Sequence, residues 1–267
     1  MTNYEEMGVR TFGRFNWLGL LTLAKRENRR YLAIWSQTLI APLITAGLFL
    51  TVFALAIGPT RGEVMGVPFV HFLAPGIVMM TVIQNAFANT SSAIMVAKVQ
   101  GNIIDTLMPP LSGWELTAGY LAGGIGRGLF VALAVVVVTS LVLGMGVAYP
   151  IWLFVFVMMG GAFLGGLGII AAIFAQKFDQ MAAITNLVVT PLSFLSGTFY
   201  SIEALPPTMQ VITHLNPVFY LIDGARYGVL GVSDSSPWLG FSVCLVCTAG
   251  TTLLCWWLFR KGYRLKA

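Results

Sequence analysis

The sequence predicts an all-α polytopic membrane protein with six transmembrane helices, and three observations carry that prediction. Of 267 residues, 57% are hydrophobic and only 9% charged, whereas soluble domains are about a quarter charged. Uncharged runs of 30, 34, 49, 23 and 25 residues occupy 31–60, 64–97, 128–176, 180–202 and 235–259. About 20 apolar residues suffice to cross a hydrocarbon core of roughly 30 Å. The 49-residue run is interrupted at 144–150 by "GMGVAYP", a turn-like segment, so it holds the end of one crossing and all of the next.

The resulting spans lie near 33–58, 70–95, 117–143, 151–176, 182–200 and 237–259. They are helices, because the runs far exceed the roughly 9–11 alternating residues of a membrane strand. The first 30 residues contain six Arg or Lys and no apolar core followed by a small-residue cleavage site, so no removable signal peptide is expected.

Basic residues set the orientation. With six spans both termini share a side, and that side collects the six basic residues of the amino end, Lys98, Lys177, Arg260, Lys261, Arg264 and Lys266. The opposite side receives Arg61 and Arg226. Both termini are therefore expected in the cytoplasm. The net charge of +5 then reflects topology and anionic headgroups, not nucleic acid, for which no basic patch with interleaved aromatics exists.

Segment 11–30, "TFGRFNWLGLLTLAKRENRR", gathers aromatics and leucines before a basic cluster, which suits either an interfacial helix beside the first span or a plain positive-inside anchor. The loop after span two, residues 98–115, places Ile103, Ile104, Leu107 and Met108 around Asp105 and ends in Pro109–Pro110, which stops any helix. It reads as a passive connector or as a short amphipathic helix presented to a partner. Gly119/Gly123, Gly124/Gly128 and Gly161/Gly165 have the spacing that lets helix backbones approach closely, within one subunit or between two.

Two spans carry polar stripes at helical spacing: Thr81, Gln84, Asn85, Asn89 and Ser92 in the second, and Asn186, Thr190, Ser193 and Gly197 in the fifth. In lipid such stripes turn toward other helices or toward a cavity. Arg127 is the one ionisable residue well inside a span; burying it without a partner costs at least ~3 kcal/mol. It must snorkel, pair, or face a polar path.

The outer segment 201–234 is apolar but cut at Pro206, Pro207 and Pro217 and marked by Glu203, Asp223 and Arg226. Neither half can span. Two short helices meeting at "HLNP" (214–217) and dipping into the outer leaflet would satisfy their own backbones and leave the charges near water. Asp223 and Arg226, three apart, can pair on one helix face. Cys244, Cys247 and Cys255 in the last span read as packing residues.

Several chemistries find no support. No GxxxxGK followed by Ser or Thr occurs, so a P-loop ATPase is not expected in this chain. His71 and His214 lie at span edges without an HExxH or acidic neighbourhood, and no metal is expected. An intramembrane serine protease would need a mid-span histidine, and an ion-coupled carrier would keep acids in the membrane. Every carboxylate here falls in a loop or tail.

Four stretches carry a family resemblance: "IIDTLMPPLSGWELTAGY" (103–120), "GRGLF" (126–130), "TPLSFLSGTFYSIEALPP" (190–207) and "LNPVFYLIDGARYG" (215–228). Together they resemble the membrane subunits of ABC type-2 transporters, most closely the bacterial inner-membrane export permeases that pair with a separate ATPase. The chain departs from that pattern in having a single Asp105, flanked by Ile104 and Thr106, where two adjacent acids are common. The resemblance implies a homodimer on two copies of a cytosolic ATPase, which binds ATP and Mg itself, so no cofactor and no catalytic residue belong to this chain. It also implies an N-terminal interfacial helix and a re-entrant outer helical hairpin before the last span.

By the same resemblance, the ATPase-coupling residues would be Asn102, Ile104, Asp105, Leu107, Pro109, Pro110, Trp114 and Glu115. The substrate path would be lined by Thr81, Gln84, Asn85, Asn89, Arg127, Asn186, Thr190 and Ser193. The outer re-entrant segment would be built on Glu203, Pro206, Pro207, Asn216, Pro217, Asp223 and Arg226. The expected activity is ATP-driven export of an amphipathic or lipid-like substrate. A non-transporting scaffold and an ion-coupled carrier are the rival readings.

Overall fold

The computed structural model describes residues 15–264; Arg10, Arg14 and Lys266, counted above toward the orientation, and the start of segment 11–30 lie outside them. Among the described residues five helices are long and apolar enough to cross a membrane: α2 (Trp35–Ala56), α4 (Phe69–Val99), α6 (Gly113–Leu143), α7 (Pro150–Phe174) and α12 (Pro237–Lys261). Helix α1 (Trp17–Ala33) precedes them, separated from α2 by a break at Ile34, whose φ and ψ of −113° and 38° are not helical. A short α3 (Gly58–Arg61) and a hairpin of β1 (Glu63–Val64) and β2 (Val67–Pro68) join α2 to α4. Met65 and Gly66 both have positive φ, as a tight two-residue hairpin turn requires.

The region expected as span five is built differently. Helix α8 (Phe178–Ile184), a π turn (Thr185–Val189) and α9 (Thr190–Leu195) run end to end, 7, 5 and 6 residues long. Pro191 favours an interruption here without dictating its form, since Pro42 and Pro75 sit inside the unbroken α2 and α4. It has no N–H, and in an unbroken α-helix its ring would press on the carbonyl four residues back. The wider turn sends the Thr190 N–H to the Thr185 oxygen instead, which relieves that crowding.

Helices α4, α6 and α7 form the centre. Phe72, Leu73, Ile77, Met79, Val82, Ile83 and Ile94 of α4 are all at most 1% exposed. The glycine pairs permit this within one chain: a Cβ on Gly161 would lie 3.1 Å from the Ile125 Cα, and one on Gly165 4.0 Å from the Gly124 Cα. By contrast α2 shows a stripe of Ile40, Ile44, Leu48, Val52 and Leu55, each at least 50% exposed. That four-residue repeat is an apolar face turned out of the bundle.

Beyond α9, a single 3-10 turn (Ile202–Ala204), α10 (Pro207–His214) and α11 (Pro217–Leu230) follow. Helix α11 lies inside, packed on α7, α12 and α4, while α10 exposes Met209, Val211 and Ile212. Tyr149 and Ala148 donate backbone N–H bonds to the Gly228 and Val229 oxygens, 2.7 and 3.0 Å, so the "GMGVAYP" connector caps the end of α11. At Gly228 an added Cβ would meet the Leu153 N at 2.6 Å and Cα at 2.8 Å. Backbone cannot yield as a side chain can, so Gly228→Ala is expected to destabilise by about 1–3 kcal/mol. A fall in the melting temperature of the purified protein in detergent would register it; an unchanged midpoint would refute the close α7–α11 contact.

Candidate coupling and permeation site

The loop at 98–115 is held by the start of α6. Ser112 caps that helix: its backbone N–H donates to the Glu115 carboxylate at 2.5 Å, and the Glu115 N–H donates to the Ser112 hydroxyl at 3.4 Å, a reciprocal pair that satisfies two otherwise orphan donors. The other Glu115 oxygen accepts the Asn16 N–H at the start of α1. Asn16 also donates its side-chain amide to the Pro110 oxygen at 3.2 Å. Trp114 stacks on Trp256 of α12, with centroids 5.0 Å apart.

Helix α5 (Ile103–Leu107) divides its residues between two faces. Ile103 and Thr106 are buried at 5% exposure each, whereas Ile104 and Met108 are 54% and 76% exposed, with Asp105 and Asn102 beside them in the open. Pro109 and Pro110 are exposed and Leu107 is half-buried. Among the expected coupling residues, Glu115, 2% exposed, points into the fold and works as a cap, while the outward face of α5 is carried by Ile104, followed by Met108.

Helix α1 ties this loop to α4. Leu23, Glu27 and Tyr31, spaced by four, form its inward face, and the glycines of α6 make room for it: a Cβ on Gly119 would strike Leu23 at 2.5 Å, one on Gly123 the Glu27 Cβ at 2.6 Å. Glu27 accepts from Arg26 at 3.0 Å and faces Arg30 at 3.3 Å. Arg26 donates to the Thr106 hydroxyl of α5 at 3.0 Å. Arg30 donates to the Ser92 hydroxyl at 3.1 Å and to the Asn89 backbone and side-chain oxygens at 2.5 and 3.1 Å. Burial lowers the Arg30 pKa from its ordinary value, against the pull of the Glu27 charge.

Higher on α4 the stripe continues. Arg127 donates its Nε to the Asn85 Oδ1 at 3.1 Å, and Asn85 donates its amide to the Thr81 oxygen at 2.9 Å. Thr81 and Asn89 are buried and Gln84 is half-buried. On the composite helix the three predicted path residues part company: Ser193 is fully buried and donates to the Val189 oxygen, Thr190 is half-buried, and Asn186 is exposed. The structure thus pairs Asn85 with Arg127 and Asn89 with Arg30 at two levels of α4 and leaves Asn186 apart from both.

At the far end of the bundle a second network closes on Arg226. Its guanidinium meets Asp223 at 3.4 Å and Asp234 at 3.1 Å, donates to the Gly197 oxygen at 2.6 Å, and lies 4.0 Å over the Phe72 ring. Asp223 accepts the backbone N–H groups of Asp234 and Ser235 and the Ser235 hydroxyl at 2.8–2.9 Å, and Ser201 donates to Asp234. Asn216 caps α11 through the Val218 N–H at 3.0 Å and reaches the Ser196 hydroxyl at 2.7 Å. The expectation that these charges stay near water is wrong: Arg226 is 0% and Asp223 2% exposed. Glu203, Pro206 and Pro207 remain on the surface.

A family described as ABC-2 type transporter matches residues 19–230, which include most of α1, the loop, α11 and Arg226 but stop short of Asp234. The chain belongs to the ABC-2 type transporter family. This ABC-2 permease is 36% identical over 251 residues to the "Inner membrane transport permease YadH" of Escherichia coli K12, a match covering 94% of this chain and 98% of that protein. It is 28% identical over 239 residues to "Nodulation protein J" of Neorhizobium galegae, covering 85% and 88% of the two chains. The same protein of Sinorhizobium fredii is 29% identical over 226 residues, covering 81% and 82%.

Sequence reasoning about this ABC-2 permease missed Glu27, Arg30, Lys98 and Asp234. Glu27 had a signal, being an acid at four-residue spacing from Leu23 and Tyr31. Lys98 was counted only toward orientation, but its Nζ donates to the Ala172, Ile173 and Ala175 oxygens at 3.1, 3.0 and 2.7 Å, where the negative end of α7 favours a cation. Asp234 had none, since a loop residue declares no partner eight positions away.

Proposed function

We propose that this permease is the membrane subunit of a bacterial inner-membrane exporter, in which two copies of a cytosolic ATPase drive an amphipathic or lipid-like substrate through a homodimer of the chain. ATP and Mg belong to the ATPase, and the chain's remaining contacts are with membrane lipids. In this reading the composite helix α8–α9 is the fifth of six crossings, α1 lies at the cytoplasmic interface, α10 and α11 form the outer re-entrant hairpin, and both termini are cytoplasmic. The path lies along α4 and the composite helix.

One observation carries the reading. The exposed face of α5, with Ile104, Asp105 and Met108, is joined through Thr106 and Arg26 to Glu27, and through Arg30 to Ser92 and Asn89 of α4. A push on that face is passed by hydrogen bonds and the Glu27–Arg30 ion pair to a helix on the path. A scaffold has no need of such a linkage. Asp105→Lys is expected to leave the permease folded, since Asp105 is exposed, while the hydrolysis of a copurified ATPase drops to the rate of that ATPase alone. Unaltered assembly and hydrolysis in the variant, or labelling of residues 98–115 from outside intact cells, would overturn the reading.

A further inference from the structure

Three guanidinium groups line up beside α5 and α4, and among the described residues one carboxylate pairs with them. Arg26 binds Thr106 at the loop, Arg30 binds Ser92 and Asn89, and Arg127 binds Asn85. Glu27 serves the first two together. Seven residues separate Asn85 from Ser92, about 10 Å along the helix. Arg127 uses one N–H in a hydrogen bond, and no Asp or Glu lies within 4.0 Å of it among the described residues. It sits about 20 Å along α6 from Gly113 at 1.5 Å per residue. A cleft of about 550 Å³ opens beside the lower rungs, where Arg26, Arg29 and Arg30 outnumber Glu27 and Asp105 on its walls; Arg127 lies beyond its lining.

An uncompensated cation at this depth is costly in lipid, and the planar fork of a guanidinium fits a carboxylate or phosphate at two points. We propose that Arg127, held by Asn85, is the binding group for a single acidic group, carboxylate or phosphate monoester, at the head of an apolar tail, which enters from the cleft past Arg30. The proposal rests on the export reading for its meaning, since it names the cargo class as an anionic amphiphile. Its physical content is a binding site that exists without any ATPase.

The test uses the full permease alone, purified in an uncharged maltoside detergent without nucleotide, with radiolabelled dodecyl phosphate as probe. Saturable binding is expected, displaced by phosphatidic acid but not by dodecanol or by inorganic phosphate at the same concentration. Arg127→Gln should weaken it about tenfold or more, as loss of charged hydrogen bonds predicts, and Arg127→Lys should retain part of it. If Arg127→Gln does not fold, Asn85→Ala, which frees the guanidinium from its support, should weaken binding by a smaller factor. Equal displacement by dodecanol, displacement by inorganic phosphate alone, or undiminished binding in the Arg127 or Asn85 variants would each overturn the proposal. Failure of ATP-driven transport would leave these results untouched, so the two readings fail separately.

Discussion

Arg226→Ala is expected to be the most damaging single substitution in the chain. It leaves Asp223 and Asp234 facing each other inside the fold, removes the donor to the Gly197 oxygen, and uncovers the Phe72 ring. Breaking a buried ion pair by deleting one partner costs about 3–5 kcal/mol. For a chain of this size that corresponds to a melting-temperature drop of roughly 10 °C, read on the purified protein by fluorescence-detected size exclusion. Arg226→Met combined with Asp223→Asn and Asp234→Asn should recover a good part of the loss, because the charges go together and the apolar stem is kept. A single variant as stable as the parent, or a triple variant no better than the single one, would mean that the cluster is not a coupled unit.

Glu27→Gln is the second large effect. Glu27 is 2% exposed, and its two oxygens keep Arg26 and Arg30 in place over α5 and α4. Without its charge Arg30 and the half-exposed Arg26 lose the one carboxylate that pairs with them among the described residues, at a cost of about 2–3 kcal/mol. The functional consequence is distinct from instability. On the export reading the ATPase still docks on α5, but its movement no longer reaches α4, so transport per ATP hydrolysed should fall about tenfold, the scale of a typical coupling energy. Folded protein with hydrolysis and transport both at parental levels would show that force passes elsewhere.

Much of the architecture was legible in the residues because a membrane imposes a simple demand: a long uncharged run must satisfy its own backbone as helix. The start of α11 was written by Asn216–Pro217, whose side chain and ring suit a first turn, whereas the Ser112 cap that starts α6 at Gly113 was not read and the third span was placed from 117. The interruption at Thr185–Val189 was not legible, since Pro191 by itself fits a straight helix, a kink or a π turn, and neighbouring helices decide among them. The polar stripe of α4 announced that it would face something; that its partners are Arg30 and Arg127 depended on how α1 lies across α6, which no local pattern encodes. The charges at 223 and 226 could be paired by spacing, but their depth was misjudged because Asp234, which makes burial tolerable, comes from a separate loop.

The π turn has a consequence for whatever moves along the composite helix. It fits one residue more than a regular turn would into a single revolution. Were Thr185–Val189 to tighten into regular α-helix, every position after it would swing by about 100° around the axis and advance about 1.5 Å. Ser193, now hidden, and Asn186, now outward, would change their relative bearing without a single covalent torsion leaving the helical basin. Any such tightening would turn α9 as one piece, against the resistance of the Pro191 ring.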